Sequence, residues 1–386
     1  MAVRALPLAK ALAACGHEVL LLLPPWDQAA DAGQEWLDGG VRVRNVILPP
    51  RVPLAFHLAL TWRLVREVLR FRPDVVHCFK PKSYAGLTAW ALWHLRRAGR
   101  TAVRLVVDAD DWEGAGGWNE LAQYSGLQKR FFAWQESWGL RHCDALTVAS
   151  RALETIAWSR GVPPGRVRYL PNGCWPEPER ASERGDDGLR EKYGLGDAPV
   201  VLLYTRFFEY SISRALAIMQ ALVRQVPEAR WLVVGKGFFG EEEELLAEAR
   251  ASGAAEWLVY AGWVRPDQLP DHFAVAQVAI YPFDDTLINR CKCAVKLIDL
   301  LAAGVPVVAD AVGQNREYIQ DGVSGRLVVP GDTVAFARRV AGLLRDPSAA
   351  SRLGRAARQR VQGDFAWPAL AQRLETAYRL AIASGQ

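Results

Sequence analysis

Apolar, β-branched runs alternate with amphipathic stretches along almost the whole chain. Before position 175 the strand-like runs fall at residues 18–23, 41–47, 74–78, 103–107, 145–149 and 167–170. Helix-period stretches lie between most of them, at 57–71, 83–97 and 121–141. Continuous apolar strands separated by helices predict parallel pairing, with helices on both faces of the sheet. Over residues 171–197 the pattern lapses into Pro, Gly, Glu and Asp, as expected of an interdomain linker. It restarts with strand-like runs at 200–204, 230–234, 257–261, 278–281, 305–309 and 326–329. Helical stretches at 213–226, 241–251, 294–303 and 334–344 fill the gaps, and a last amphipathic helix covers 368–382. The predicted fold class is α/β: two doubly wound, Rossmann-like domains in tandem with a cleft between them. The expected divisions are 1–175, 176–365 and a C-terminal helical segment, 366–386.

The start departs from this scheme. A helix at 6–14 opens the chain without the strand and glycine turn that normally precede it. The expectation is a start codon further upstream or a truncated form, with the first sheet deprived of an interior strand.

Composition narrows the class. At 386 residues, 51% hydrophobic and 23% charged, the chain suits two globular domains with ample cores. No apolar stretch reaches the length of a membrane-spanning helix, and residues 1–7 lack the regions of a signal peptide, so a cytoplasmic protein is expected. The six cysteines are scattered, which fits reduced thiols; Cys291-Lys-Cys293 has no second pair at zinc-ligand spacing. Residues 1–180 hold 23 Lys and Arg against 17 Asp and Glu, a surplus of six, too weak to indicate nucleic acid. Core packing is expected to absorb most of the 15 Trp.

Ligands of doubly wound sheets bind at the carboxyl ends of strands. In the second half those ends carry Arg206, Gly235-Lys-Gly237 and Gly262-Trp263-Val264, followed by Cys291-Lys-Cys-Ala294-Val295-Lys296-Leu-Ile-Asp299. The helix expected at 294–303 ends at Gly304, and its N-terminus suits an anion such as a diphosphate. Lys296 stands in the first turn, where a cation opposes the helix dipole unless an anion is bound. Asp299 lies on the same face and suits a ribose hydroxyl; a solvated ion pair with Lys296 is the alternative. Arg206 reads as a phosphate donor or as an ordinary strand-end arginine.

In the first half, residues 74–78 run into Lys80-Pro-Lys82, and residues 103–107 run into Asp108-Ala-Asp110-Asp111-Trp-Glu113. Four carboxylates so close repel one another unless they face solvent, a metal or substrate hydroxyls. Capping of the next helix is the other reading. The neighbouring Gly and Trp residues suggest a sugar-binding shelf.

Taken together, these residues resemble the group 1 (family 4) glycosyltransferases, retaining enzymes of GT-B fold that use nucleotide sugars. The resemblance covers nearly the whole chain. It rests on the segment 8–19, Pro171-Asn172-Gly173, Gly262-Trp263-Val264, the segments 297–308 and 317–332, and the final helix, which in the family crosses back onto the first domain. It implies that Arg206 and Lys296, with the N–H groups of Ala294 and Val295, neutralise the leaving diphosphate. Asp299 would hold the ribose, the backbone of Trp263 and Val264 would meet the base, and Gly235 and Gly237 would line the donor site. Asp110 and Asp111 would stand where the family has a first-domain histidine, and Lys80, Lys82, Asn172 and Gly173 would lie on the acceptor side. Closure of the domains would exclude water.

Three positions depart from the family pattern. Its paired glutamates fall on Cys291 and Asp299; a lysine expected shortly after Arg206 is absent, with Arg214 as the substitute; and the first strand and glycine loop are missing.

The expected activity is retaining transfer of a sugar from a nucleoside diphosphate donor to a glycan, lipid-linked or small-molecule acceptor. No metal or cofactor is expected. A non-catalytic sugar-nucleotide-binding homologue and a nucleotide-sugar epimerase are the alternatives. Two helices rich in Trp and Arg (Trp62, Arg63, Arg66, Arg70, Trp90, Trp93, Arg96, Arg97, with Arg100 following) add an expectation of peripheral contact with anionic lipid, against the alternative of a solvated face.

Overall fold

The computed structural model describes residues 3–52, 55–176 and 188–383; part of the expected linker, residues 177–187, lies outside the described residues. The chain forms two compact units. One comprises Met1–Asn172, Cys291–Cys293 and Trp367–Gln386, the other Gly173–Arg290 and Ala294–Ala366.

The first unit contains β1 (Leu20–Leu23), β2 (Glu35–Asp38), β3 (Val41–Asn45), β4 (Val75–Phe79), β5 (Arg104–Ala109), β6 (Ala145–Val148) and β7 (Val167–Tyr169). The last four form a parallel sheet in the order β4-β5-β6-β7, and β1-β3-β2 forms a second sheet. Among the described residues, β1 and β4 each pair along one edge only.

β2 runs antiparallel to β3, which the all-parallel expectation did not include. Its turn, Gly39-Gly40, has φ of 57° and 82°, the left-handed pair that a two-residue hairpin requires. With Leu37 exposed, this strand has no buried face and hence no apolar pattern to betray it.

Alternation along β5 sets the layers. Leu105 and Val107 pack with Ala89 and Leu140, so the helices Ser83–Arg97 and Gly126–Arg141 cover one face. Val106 and Ala145 pack with Leu8, Leu370 and Leu374, so the helices Ala5–Ala14 and Trp367–Ala383 cover the other. The helix expected at 121–141 is two, Trp118–Leu121 and Gly126–Arg141, because Ser125 and Gln128 form a reciprocal capping box that starts the second afresh.

The second unit is one six-stranded parallel sheet of β8 (Val200–Thr205), β9 (Arg230–Gly235), β10 (Leu258–Gly262), β11 (Val278–Tyr281), β12 (Val307–Asp310) and β13 (Arg326–Val328), in the order β10-β9-β8-β11-β12-β13. Val201, Leu203, Trp231 and Val233 face one core; Val200, Leu202, Leu232 and Val234 face the other. Burial on both faces is why these strands read as unbroken apolar runs. The order reverses between β8 and β11, and ligands of such sheets bind beyond the carboxyl ends there.

The tryptophans correct one expectation. Only Trp112, Trp231 and Trp367 are buried, whereas eight of the 15 are exposed, so core packing does not account for most of them.

Candidate functional site

Arg206 follows directly on β8, in a loop whose shape the sequence does not announce. Phe207 adopts a left-handed φ of 73°, uncommon for a bulky residue. Its N–H donates to Thr205 Oγ1 at 2.8 Å, and the carbonyl of Glu209 accepts from Asn289 Nδ2 at 2.7 Å and Asp284 N at 2.8 Å. These bonds fix the loop and leave Arg206 exposed, its guanidinium 5.6 Å from the Phe238 ring. Phe207 and Asn289 thus position the arginine, and no spacing or residue type marks them in advance.

β9 ends at Gly235, φ 140°, where a Cβ would fall 2.0 Å from the Thr205 carbonyl oxygen; only glycine allows the two strand ends to approach so closely. Gly237 donates its N–H to Glu242 Oε2 at 2.9 Å. After β10, Trp263 is 66% exposed, while Val264 packs on the core.

The helix expected at 294–303 spans Val295–Ala302 and ends on Gly304, φ 77°. Lys296 is in its first turn, its Nζ 3.4 Å from the centre of the Tyr204 ring. Burial pushes the Asp299 carboxyl up to about 6, with Lys296 pulling it partly back. Arg206, Lys296 and Asp299 are thereby gathered at the β8–β11 end of one unit.

Two expectations fail here. The N–H of Ala294 is already taken by Gln314 Oε1 at 2.8 Å, so it is not a free donor for an anion. Arg214 does not stand in for the absent lysine: it is bound to Asp310 at 2.7 Å and Asp284 at 3.1 Å, and serves to tie β12 to the loop after β11.

In the first unit, β4 runs into a strained turn. Lys80 and Ser83 have left-handed φ of 56° and 54°. Ser83 N donates to Gln135 Oε1 at 2.8 Å, and Gln135 Nε2 donates to the Ser83 carbonyl at 2.9 Å. A Cβ on Gly139 would sit 2.5 Å from Pro81 Cβ, so the helix behind presses close on the turn.

This turn presents two ammonium groups to the acidic loop. Lys80 Nζ lies 3.0 Å from Asp111, 3.5 Å from Asp110 and 3.6 Å from Glu113. Lys82 Nζ donates to Glu113 at 2.7 Å and Asn119 at 2.8 Å, over the Tyr124 and Phe132 rings. Burial raises Asp110 to about 6 against the pull of Lys80, with Asp111 adding to the rise. Behind it Glu136 is fully buried, and its burial, with Glu113 and Asp110 nearby, holds it well above the usual range.

The capping alternative is not realised, since Gly117 starts the next helix with no side-chain cap. Asp108 leaves the loop altogether and joins Asn172 around Arg4. Arg4 donates to both Asp108 oxygens, at 2.7 and 2.6 Å, to Asn172 Oδ1 at 3.0 Å and to the Leu170 carbonyl at 2.8 Å. Gly173 opens the second unit. Among the described residues no group of His, Cys, Asp and Glu is gathered as a metal site.

Two family models match the chain, one in each half. Residues 1–173 match the glycosyl transferase 4-like domain, and residues 198–346 match the glycosyl transferases group 1 family. The chain is 29% identical to the GDP-mannose-dependent alpha-(1-6)-phosphatidylinositol monomannoside mannosyltransferase of Mycolicibacterium smegmatis, over 93% of this chain and 89% of that protein. It is 26% identical to glycogen synthase of Mycobacterium tuberculosis, over 94% and 87%. Among solved structures, sucrose-phosphate synthase from Thermosynechococcus elongatus superposes with a TM-score of 0.72 at 22% identity, covering 98% of this chain and 92% of that one. Anabaena HepE in complex with UDP and glucose gives 0.68 at 17%, covering 96% and 94%. Two Rossmann-like domains and both family matches lead to one conclusion: the chain belongs to the group 1, family 4-like glycosyltransferases, transferase enzymes of GT-B fold.

Proposed function

We propose that the enzyme transfers a sugar, with retention of anomeric configuration, from a nucleoside diphosphate donor to a glycan, lipid-linked or small-molecule acceptor. The observation that carries this reading is the placement of Lys296 in the first turn of the helix Val295–Ala302, beside the loop fixed after β8. A lysine there is unfavourable to the helix dipole by itself and becomes favourable once an anion occupies the N-terminus.

Arg206 and Lys296 neutralise charge developing on the leaving diphosphate, and Asp299 accepts from the ribose hydroxyls. This assigns the charge compensation to side chains, with no metal. In the first unit, Asp110, Asp111 and Lys80 offer acceptors and a donor to sugar hydroxyls, with the carboxylate charge partly offset by Lys80 and Lys82. The retained anomer follows from the family reading, in which the donor's leaving group takes the acceptor proton and no strong protein base is required. The relatives that name GDP-mannose or crystallise with UDP support a nucleotide-sugar donor of unspecified base.

The test is a screen of nucleotide sugars by thermal shift, followed by turnover with the best binder. Lys296→Ala should lower turnover ~100-fold or more, the scale of one lost transition-state donor, with melting temperature unchanged. Full activity of that variant at saturating donor would refute the phosphate assignment. Slow donor hydrolysis by the parent chain separates an enzyme from a sugar-nucleotide-binding homologue.

A further inference from the structure

The outward side of the first unit's helical layer carries a surface that sugar transfer leaves unused. The helices Ala55–Phe71, Ser83–Arg97 and Gly126–Arg141 pack side by side, with Leu64, Leu92 and Leu140 turned inward. An ordinary surface helix is polar on its other face; these three carry large apolar side chains there among the basic ones. Leu58 and Trp62, one turn apart on the first helix, are 71% and 55% exposed. Trp90 on the second is 40% exposed, and Leu127, Phe131 and Trp134 on the third are exposed in succession.

The aromatic surface is continuous across the second and third helices. The Trp90 ring lies 4.4 Å from His94, His94 stacks at 6.4 Å on Trp138, Trp138 lies 6.5 Å from Trp134, and Trp134 stacks at 5.8 Å on Phe131. Contiguous exposed apolar surface of this kind marks an interaction site. Two residues expected there from the sequence turn away: Trp93 packs edge-on against Trp138, and Arg96 pairs with Asp144.

Charge decides the partner. The three helices hold eight Lys and Arg against two Glu; Arg70, Arg96 and Lys129 are paired with Glu67, Asp144 and Glu120, and Glu136 is buried, which still leaves a basic surplus. Arg66, Arg97 and Arg130 are exposed on the same three helices. A second copy would bring two such positive faces together, which opposes association, whereas an anionic surface is attracted. Tryptophan with arginine is the pairing that suits a lipid interface, where rings sit at headgroup level and guanidinium groups reach phosphate. No helix among the described residues is long and apolar enough to cross a membrane, so the contact is a surface one.

We propose that this three-helix face docks the enzyme peripherally on an anionic lipid bilayer, with Trp62, Trp90 and Trp134 as interfacial anchors. The proposal is independent of the donor assignment and survives its failure.

Sedimentation of the full chain with phosphatidylcholine vesicles, with and without phosphatidylglycerol, tests it. The parent chain is expected to pellet with the anionic vesicles and to be released by salt. Each basic residue near such a surface is worth about fivefold in partitioning, so Arg66→Glu with Arg130→Glu should lower binding well over tenfold. Trp62→Ser with Trp134→Ser should lower it roughly tenfold, by removing buried ring area. Both pairs should keep the parent melting temperature; if the tryptophan pair does not fold, the arginine pair, which replaces exposed charges, carries the test. Recovery of the parent in the supernatant with anionic vesicles overturns the proposal, as does parent-like binding by the arginine pair. A concentration-dependent dimer that the tryptophan pair abolishes, without vesicle binding, assigns the face to a second copy and overturns it as well.

Discussion

Arg4 and Asp108 stand 104 positions apart and meet in a bidentate pair with almost no exposure of either. Every nitrogen of the guanidinium has a partner, because Asn172 and the Leu170 carbonyl accept two further N–H groups. A buried pair so satisfied adds modest net stability, but removing one member strands the other. Arg4→Ala should therefore cost about 3–5 kcal/mol, read as a loss in urea midpoint, and Asp108→Asn about as much, because the amide leaves the buried guanidinium charge unpaired and turns a donor toward it. The sequence placed Asp108 in an acidic loop because three further carboxylates follow it; its partner lay beyond any local pattern. Ala294 misled in the same way, since Gln314, twenty positions on, occupies its N–H. Lys296 and Asp299 were legible because helix dipole and spacing are local properties.

Asp299 also titrates informatively. Its carboxyl has the ordinary value of 3.8 when exposed and about 6 in the folded protein. Folding thus favours the protonated form, a contribution complete below about pH 4 and lost as pH rises through about 6. The ionised form is the stronger acceptor for ribose hydroxyls. Donor KM should therefore fall as pH rises through about 6, and Asp299→Asn should level that profile. Asp110 rises to a similar value, but Asp110→Asn should leave the donor profile in place. A donor KM flat in pH in the parent enzyme would remove Asp299 from the ribose.

Among elements, the parallel strands were readable because burial on both faces writes them as apolar runs. β2 was not, since its side chains are largely exposed and its one signal is Asp38-Gly39-Gly40. The break at Ser125 was missed because an aromatic-rich helical pattern continues across it, and only the cap pair separates the two helices. One helix crossing matters to the donor site. Gly354, in the helix Pro347–Asp364, passes over the end of the helix Val295–Ala302, where a Cβ would stand 2.0 Å from the Gly304 carbonyl oxygen. Backbone cannot yield as a flexible side chain does, so Gly354→Ala should destabilise by about 1–3 kcal/mol. The displaced helix carries Lys296, so donor KM should rise in the same variant. Unchanged melting temperature and KM would mean that the crossing relaxes freely.

At the scale of the whole molecule the two units differ in how the chain builds them. The second completes both cores of its six-stranded sheet from residues 189–365. The first is discontinuous: the helix Trp367–Ala383 supplies Trp367, Leu370, Ala371 and Leu374 to the face of the sheet that carries Val106 and Ala145. Burying one large apolar side chain contributes roughly 1.5–3 kcal/mol. Three of them, Trp367, Leu370 and Leu374, contribute about 5–9 kcal/mol, comparable to the entire stability of a typical domain at roughly 5–15 kcal/mol. Tyr378 adds a hydrogen bond to His77 on β4 at 3.0 Å. A chain ending at Ala366 should accordingly lose the cooperative unfolding of the first unit and all transfer activity. The second unit holds Arg206, Lys296 and Asp299 and keeps its core, so its melting transition should persist and should still rise with nucleoside diphosphate. Calorimetry of the truncated chain with and without UDP or GDP distinguishes the cases. Two intact transitions would show that the helix is dispensable to the first unit, and the loss of the nucleotide-dependent rise would show that donor binding depends on more than the second.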